Sequence, residues 1–232
     1  MQDDIDSWRR GLRETLLARR QALPAASREA ATAAIVTHLR AGLPAPETLT
    51  LAFFAPFRAE PDLRPLVDEW RAAGARTALP VVVARGQPME FRLWWPGAPV
   101  RRGAFSLPEP DGTPLVTPQV VLLPPVGFDA EGYRLGYGGG FFDRTLAALT
   151  PAPLKIGVAF EAARVESIRP QPYDVPLDFV ITEAGVWRVG AHGLEVLPAG
   201  AVLLPAGRRQ ADSAETCASP PCYLDEFNRG DA

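Results

Sequence analysis

Apolar positions fall first into helical spacing, then into short continuous runs, and finally thin out toward the C-terminus. From Ile5 to Leu23, residues Ile5, Leu12, Leu16 and Leu23 lie on one narrow helical stripe. Arg9, Arg13 and Arg20 line one edge of that stripe, and Pro24 ends the helix. Ser27 is a favoured N-cap for a second, alanine-rich helix running to about Leu39, with Gly42 past its end.

The spacing then changes to that of buried strands. "TLTLAFFA" (Thr48–Ala55) predicts a strand, Asp62 caps the helix "LRPLVDEWRAAG", and Gly74 suits the position after its end. "RTALPVVV" and "MEFRLWW" are further strands, and the proline-rich stretch Pro96–Gln119 reads as a long ordered loop. "VVLLPPVGF" is an apolar strand, followed by a helix from about Phe141 to Leu149. "KIGVAF" (Lys155–Phe160) and "DFVIT" (Asp178–Thr182) complete the set. Continuous apolar strands alternating with helices imply an α/β fold. Its expected form is a mainly parallel sheet flanked by helices on both faces, in three layers, with an N-terminal helical pair. Ligands of such sheets gather beyond the carboxyl ends of the strands. The loops expected there, "PFRAEPD", "VGFDAEGYRLGYGGGFFD" and "RPQPYD", each carry a carboxylate. Beyond about Gly190 the pattern weakens. Residues 1–190 are expected to form one domain, and 191–232 a loosely ordered extension that begins with a possible short hairpin.

Composition narrows the chemistry. Forty-seven per cent apolar residues in a chain of 232 suffice for one packed core, and a net charge of −3 gives no basic field for nucleic acid. No apolar run approaches the ~20 residues of a membrane span. The start "MQDDIDSWRR" lacks the apolar segment of a signal peptide, so a cytoplasmic protein is expected. Cys217 and Cys222 sit in the tail without CxxC spacing. Lys155 is the only lysine, which excludes a Gly-Lys-Ser/Thr phosphate loop. His38 and His192 stand apart from any plausible nucleophile, which leaves carboxylates, arginines, backbone amides and a metal ion to carry the chemistry.

The stretch "EGYRLGYGGGFFDRTLAAL" (Glu131–Leu149) holds four glycines in five residues. It does not match a dinucleotide fingerprint, because Phe141 stands where the third glycine belongs. It does place the bare amides of Gly136, Gly138, Gly139 and Gly140 before a helix N-terminus, an arrangement that holds anions without lysine. Arg134 can add a forked contact to a phosphate. A close-packed strand-to-helix turn is the simpler explanation of such a cluster, and Arg134 and Asp143 at its two ends favour phosphate. Asp143 either complements the helix dipole or binds Mg²⁺, with Asp174 as a possible second ligand. Arg9 and Arg13 matter only if the first helix crosses the mouth of the glycine loop. Glu60 is either a surface carboxylate or an acceptor for the N–H groups of a heterocycle.

Together these segments resemble the 5-formyltetrahydrofolate cyclo-ligase family, also called 5,10-methenyltetrahydrofolate synthetases. The similarity lies in "VGFDAEGYRLGYGGGFFDRTL", "RRGLRETLLARRQAL", "FFAPFRAEPDLRPLV", the "LPEP" turn and "QPYDVPLDFVIT", in order from about Arg9 to Trp187. The resemblance implies ATP- and Mg²⁺-dependent closure of 5-formyltetrahydrofolate to 5,10-methenyltetrahydrofolate, through a phosphorylated formyl group that N10 attacks. It implies that Arg134, Leu135, Gly136, Tyr137, Gly138, Gly139, Gly140, Phe141 and Phe142 cradle the triphosphate, with Arg9, Arg10, Gly11, Leu12 and Arg13 reaching it from the first helix. Asp143 and Asp174 would hold magnesium, and Arg134 and Asp143 would serve catalysis. Ala55, Glu60 and Phe142 would meet the folate. The family usually has lysine at the position of Arg9 and often tyrosine at that of Phe142. Two other readings of the residues remain: a sugar-phosphate isomerase whose glycine loop holds its substrate, and a nucleotide-binding module without catalysis.

Overall fold

A computed structural model describes residues 2–44 and 46–204. The tail with Cys217 and Cys222, expected to be loosely ordered, lies outside the described residues. Two helices open the chain, α1 (Gln2–Ala22) and α2 (Ala25–Gly42). Pro24, not Ser27, is the N-cap of α2, with extended φ/ψ of −56° and 144°, and its carbonyl accepts the Arg28 N–H at 3.0 Å. Proline suits that position because it has no N–H to leave unpaired. Gly42 is the last residue of α2 rather than a residue beyond it. A Cβ there would stand 2.8 Å from Leu203, so glycine permits that close approach.

The α/β part comprises β1 (Thr50–Ala52), α3 (Arg64–Ala72), β2 (Arg76–Val81) and β3 (Glu90–Leu93). Leu63 rather than Asp62 is the N-cap of α3, although an Asp62 oxygen still accepts the Arg64 N–H at 3.0 Å. The proline-rich stretch is not all loop, since it folds back on itself as β4 (Val100–Arg102) and β5 (Pro108–Pro110). "VVLLPPVGF" is two strands, β6 (Val120–Leu123) and β7 (Gly127–Phe128), because Pro124 and Pro125 supply no ladder donors. There follow β8 (Arg134–Leu135), α4 (Phe141–Ala148), β9 (Leu154–Val158), β10 (Phe179–Thr182), β11 (Gly185–Gly190) and β12 (Gly193–Val196).

Eight strands form the main sheet in the order β12-β11-β10-β9-β6-β1-β2-β3. The run from β10 to β2 is parallel, and the outer pairings β2–β3, β10–β11 and β11–β12 are antiparallel. Alternation along each strand divides the core between the two faces. Val120 and Leu122 pack with Ile35 and Leu39 of α2 and Leu66 and Trp70 of α3. Val121 and Leu123 pack with Phe128 and with Leu146 of α4. Each such side chain contributes roughly 1.5–3 kcal/mol through burial. The chain therefore has a mixed, mostly parallel α/β fold. Gly190 and Gly193 pair across the β11–β12 turn, and Leu203 and Leu204 are buried, so ordered packing continues past the expected boundary at 190.

The topology also places the site. From β1 the chain moves through α3 to β2 on one side, and from β6 it moves through α4 to β9 on the other. The loops leaving adjacent β1 and β6 therefore diverge, opening a crevice at the carboxyl ends of two central strands.

Candidate functional site

Two cavities meet in that crevice, and the glycine loop is the wall between them. Gly136, Tyr137, Gly139, Gly140 and Asp143 line both. The first cavity, about 150 Å³, is walled largely by Phe54, Leu79, Met89, Leu107, Phe141 and Phe142. Glu60 and Glu109 supply carboxylates to it. The second, about 600 Å³, is lined by Arg9, Arg10, Arg13 and Arg144 and by Asp6, Asp143, Tyr173 and Asp174.

The glycine loop is held from below. Asp129 is buried and accepts the N–H groups of Glu131, Tyr133 and Ile168 at 3.2, 2.9 and 3.1 Å. That network shapes the β7–β8 ribbon leading into the run. Gly138 (φ +93°) and Gly140 (φ +63°) adopt left-handed backbone that favours glycine. Arg13 lies across Gly138, and its Nε donates to the Gly136 carbonyl at 2.8 Å. Among the described residues the N–H groups of Gly136, Gly138, Gly139 and Gly140 donate no hydrogen bond to the chain. Amides of this kind, followed by the N-terminus of α4, form an anion-binding concavity.

Around the larger cavity the charges are interlocked. Arg9 holds Asp174 with two prongs, Nη1 to Oδ2 at 2.9 Å and Nη2 to Oδ1 at 3.2 Å, and both side chains are buried. Asp174 Oδ2 also accepts the Gln171 N–H at 2.7 Å. Arg134 donates to Asp143 Oδ1 at 2.8 Å and to the Val175 carbonyl. Asp143 Oδ1 takes the Val175 N–H at 3.1 Å, while Oδ2 accepts no hydrogen bond among the described residues. Burial pushes the pKa values of Arg134 and Arg13 down. The charges of Asp143 and Asp174 oppose that shift at Arg134, and neighbouring Arg9 adds to it at Arg13. A guanidinium nonetheless stays charged. The Nε groups of Arg9 and Arg144 are buried donors without a partner among the described residues.

At the smaller cavity, Glu60 accepts the Tyr137 O–H at 2.6 Å and the Phe57 N–H at 2.9 Å. Burial raises its pKa to about 7, against the lowering effects of the Tyr137 hydrogen bond, the Arg20 charge and the Phe57 amide.

The expected residues divide accordingly. Arg9, Arg10, Arg13, Gly136, Tyr137, Gly138, Gly139, Gly140, Asp143 and Asp174 converge on the larger cavity. Phe141, expected against the triphosphate, and Phe142, expected to meet both the triphosphate and the folate, line the smaller one beside Ala55 and Glu60, and Arg134 also borders it. Leu12 and Leu135 pack in a small core with Leu16 and Val126, and Gly11 lines neither cavity. Leu12 and Leu135 lie on the apolar side of α1 and β8, which turns inward, whereas Gly11 is exposed. Sequence reasoning did not assign Asp6, Arg20, Glu109, Arg144 or Tyr173 to the site. Arg20 was legible as a member of the same helix edge as Arg9 and Arg13, and Glu109 as the acid of "LPEP". No spacing marked the others. Among the described residues no group of three or more His, Cys, Asp or Glu side chains is arranged to hold a metal ion, so any ion here needs ligands from elsewhere.

The model of the 5-formyltetrahydrofolate cyclo-ligase family matches residues 5–183. The chain belongs to that family. A 5-formyltetrahydrofolate cyclo-ligase of Escherichia coli (strain K12) is 34% identical over 146 residues, covering 60% of this chain and 80% of its own. One from Mycolicibacterium smegmatis is 33% identical over 180 residues, covering 74% and 91%. The solved 5,10-methenyltetrahydrofolate synthetase of Aquifex aeolicus superposes with a TM-score of 0.69 at 30% identity, over 81% of this chain and 96% of its own. As a member of this family the chain is an enzyme, a ligase of folate one-carbon metabolism. No helix among its described residues is long and apolar enough to cross a membrane.

Proposed function

We propose that this cyclo-ligase converts 5-formyltetrahydrofolate to 5,10-methenyltetrahydrofolate with Mg-ATP, releasing ADP and phosphate. The observation that carries this reading is the shared wall. A basic cavity with unspent backbone amides and an apolar cavity with a buried carboxylate touch through Gly136, Tyr137, Gly139, Gly140 and Asp143. Two substrates that must exchange a phosphoryl group require that juxtaposition.

The triphosphate lies in the larger cavity against the glycine amides, with Arg9, Arg10, Arg13 and Arg144 neutralising its charge. The flat ring of the folate enters the smaller one, its N–H groups directed at Glu60 and its faces against Phe141 and Phe142. At the boundary the formyl oxygen attacks the γ-phosphorus, and the bond to the ADP oxygen breaks. The nitrogen at N10 then attacks the activated carbon and gives up its proton, and phosphate departs with the former formyl oxygen. The protein's work is positioning and charge neutralisation, which suits two cavities whose lining, among the described residues, has no histidine, cysteine or lysine.

The donor set fits a magnesium ion through Asp143, whose Oδ2 is unengaged. Mg²⁺ takes one or two carboxylates and completes its shell with phosphate oxygens and water. Asp174 borders the same cavity, but both its oxygens are engaged by Arg9 and the Gln171 amide, so its larger part is to hold Arg9. Bound there, the ion would neutralise charge on the phosphates. The test mixes the full chain with 5-formyltetrahydrofolate, adds Mg-ATP and follows the near-ultraviolet band of the methenyl product. A growing band supports the reading. ATP binding without a band would leave a nucleotide-binding module, and no ATP binding would overturn the assignment of the larger cavity.

A further inference from the structure

Glu60 is carried on a costly piece of backbone. The two residues before it, Arg58 and Ala59, both have left-handed φ values, 48° and 62°. Non-glycine residues in that region cost about 1–3 kcal/mol each and persist only where the surroundings over-determine them. Here the surroundings reach across the molecule. Arg20 of α1, itself buried, donates from Nε to the Arg58 carbonyl at 3.0 Å and from Nη2 to the Tyr137 hydroxyl at 2.6 Å. Tyr137 in turn donates its hydroxyl hydrogen bond to Glu60 Oε1 at 2.6 Å. One guanidinium therefore holds the turn that presents Glu60 and also the phenol that touches it.

Tyr137 is also a residue of the glycine loop, flanked by Gly136 and Gly138, and it lines both cavities. Its ring is fenced by Phe57, with centroids 5.8 Å apart, and by the Arg58 guanidinium at 5.9 Å. The side chain thus anchors a run of backbone with unusual conformational freedom from the folate side, while Arg13 and Arg144 hold the Gly136 and Gly139 carbonyls from the other.

We propose that Arg20, Tyr137 and Glu60 form a buried relay that couples the two subsites, so that folate bound at Glu60 raises the affinity of the glycine loop for Mg-nucleotide. This rests on the assignment of the two cavities made above. A folate that directs N–H groups at Glu60 stabilises its anionic form. The anion strengthens the hydrogen bond from Tyr137, which pins the loop main chain. Nucleotide then meets amides already ordered, so less conformational entropy is lost on its binding. Linkage makes the effect reciprocal. Arg20 and Tyr137 act here as positioning residues, through Glu60 and the loop amides.

The experiment measures the dissociation constant of magnesium β,γ-imido-ATP by calorimetry on the full chain, with and without saturating 5-formyltetrahydrofolate, which that analogue cannot phosphorylate. The readout is the ratio of the two constants, and a mutation that merely weakens either site alone does not collapse it. Folate is expected to tighten the nucleotide about fivefold or more in the native chain, within the usual range of such couplings. Tyr137→Phe, which keeps the ring and removes the hydroxyl, is expected to bring the ratio below about two. Arg20→Lys keeps the charge but cannot span both the Arg58 carbonyl and the phenol, and should do the same. It decides the matter if Tyr137→Phe does not unfold cooperatively. A ratio near one in a native preparation that forms methenyl product overturns the relay and leaves the proposed activity standing. An unchanged ratio in the variants likewise overturns it. A native chain that binds both ligands but forms no product overturns the proposed activity instead.

Discussion

The two sides of the glycine loop are built on opposite electrostatic principles. On the larger cavity's side, Arg9 is paired with Asp174, and on the shared wall Asp143 is paired with Arg134, which borders the smaller cavity. Each acid is locked by a guanidinium and a backbone amide, and Arg10, Arg13 and Arg144 complete the positive lining. On the smaller side, Glu60 faces apolar walls and is held by one phenol, one amide and a guanidinium 3.6 Å away, with its pKa raised to about 7. The difference shows how one fold binds a polyanion and a flat heterocycle side by side. Paired charges give rigidity and a steady field, whereas a desolvated acid gives a hydrogen-bonding site that responds to its ligand.

Four measurements bear on that contrast, from the largest effect down. Arg9→Ala leaves Asp174 buried without its ion partner and should lower the unfolding free energy in urea by about 3–5 kcal/mol. A loss below about 1 kcal/mol would mean the pair is not part of a rigid wall. Asp143→Asn should reduce turnover by about 10²-fold or more while folate affinity changes little. Equal loss of folate affinity would show that the two sides are not chemically separate. Gly138→Ala places a side chain at φ +93° with its Cβ 3.4 Å from the Arg13 guanidinium, and should weaken nucleotide binding about tenfold by shifting Arg13.

The smallest effect concerns pH. Glu60 has a raised folded-state pKa of about 7 against an ordinary 4.5, so the folded chain binds more protons between those values. Stability from this group is complete below pH 4.5 and is lost as pH rises through 7, by at most about 1.4 kcal/mol per pH unit. Glu60→Gln removes the titration, so its melting temperature relative to the native chain should climb between pH 5 and pH 7 and then level off. A constant difference across that range would show that Glu60 titrates normally.

Much of the scaffold could be read from residue order. Apolar runs located β1, β2, β3, β6, β9 and β10 of the main sheet but not β11, and the single stripe on the first helix marked the side that meets Val126 and Leu135. Errors clustered where a local rule met a tertiary contact. Ser27 looked like a cap, but Pro24 already had the geometry. Gly42 looked like a helix stop, but it serves packing against Leu203. The loop 96–119 concealed the β4–β5 pair because its prolines mask strand spacing. In the site, the glycine run and Asp143 stood out because their spacing is local. Arg144 and Tyr173 did not, because a side chain four residues along a helix or in a proline-rich loop carries no mark of where it points.

Sequence alone determined the alternation of strands and helices, the absence of a lysine-based phosphate loop, and the family signature around Gly136–Asp143. These follow from neighbouring residues, whose steric and solvation preferences act over a few positions. Only the tertiary structure decided that Arg9 clamps Asp174 across 165 positions of chain, that Phe141 faces the apolar cavity, and that Tyr137 ties Arg20 to Glu60. Those contacts depend on which loops the diverging β1 and β6 bring together, a consequence of strand order that no short window of residues contains.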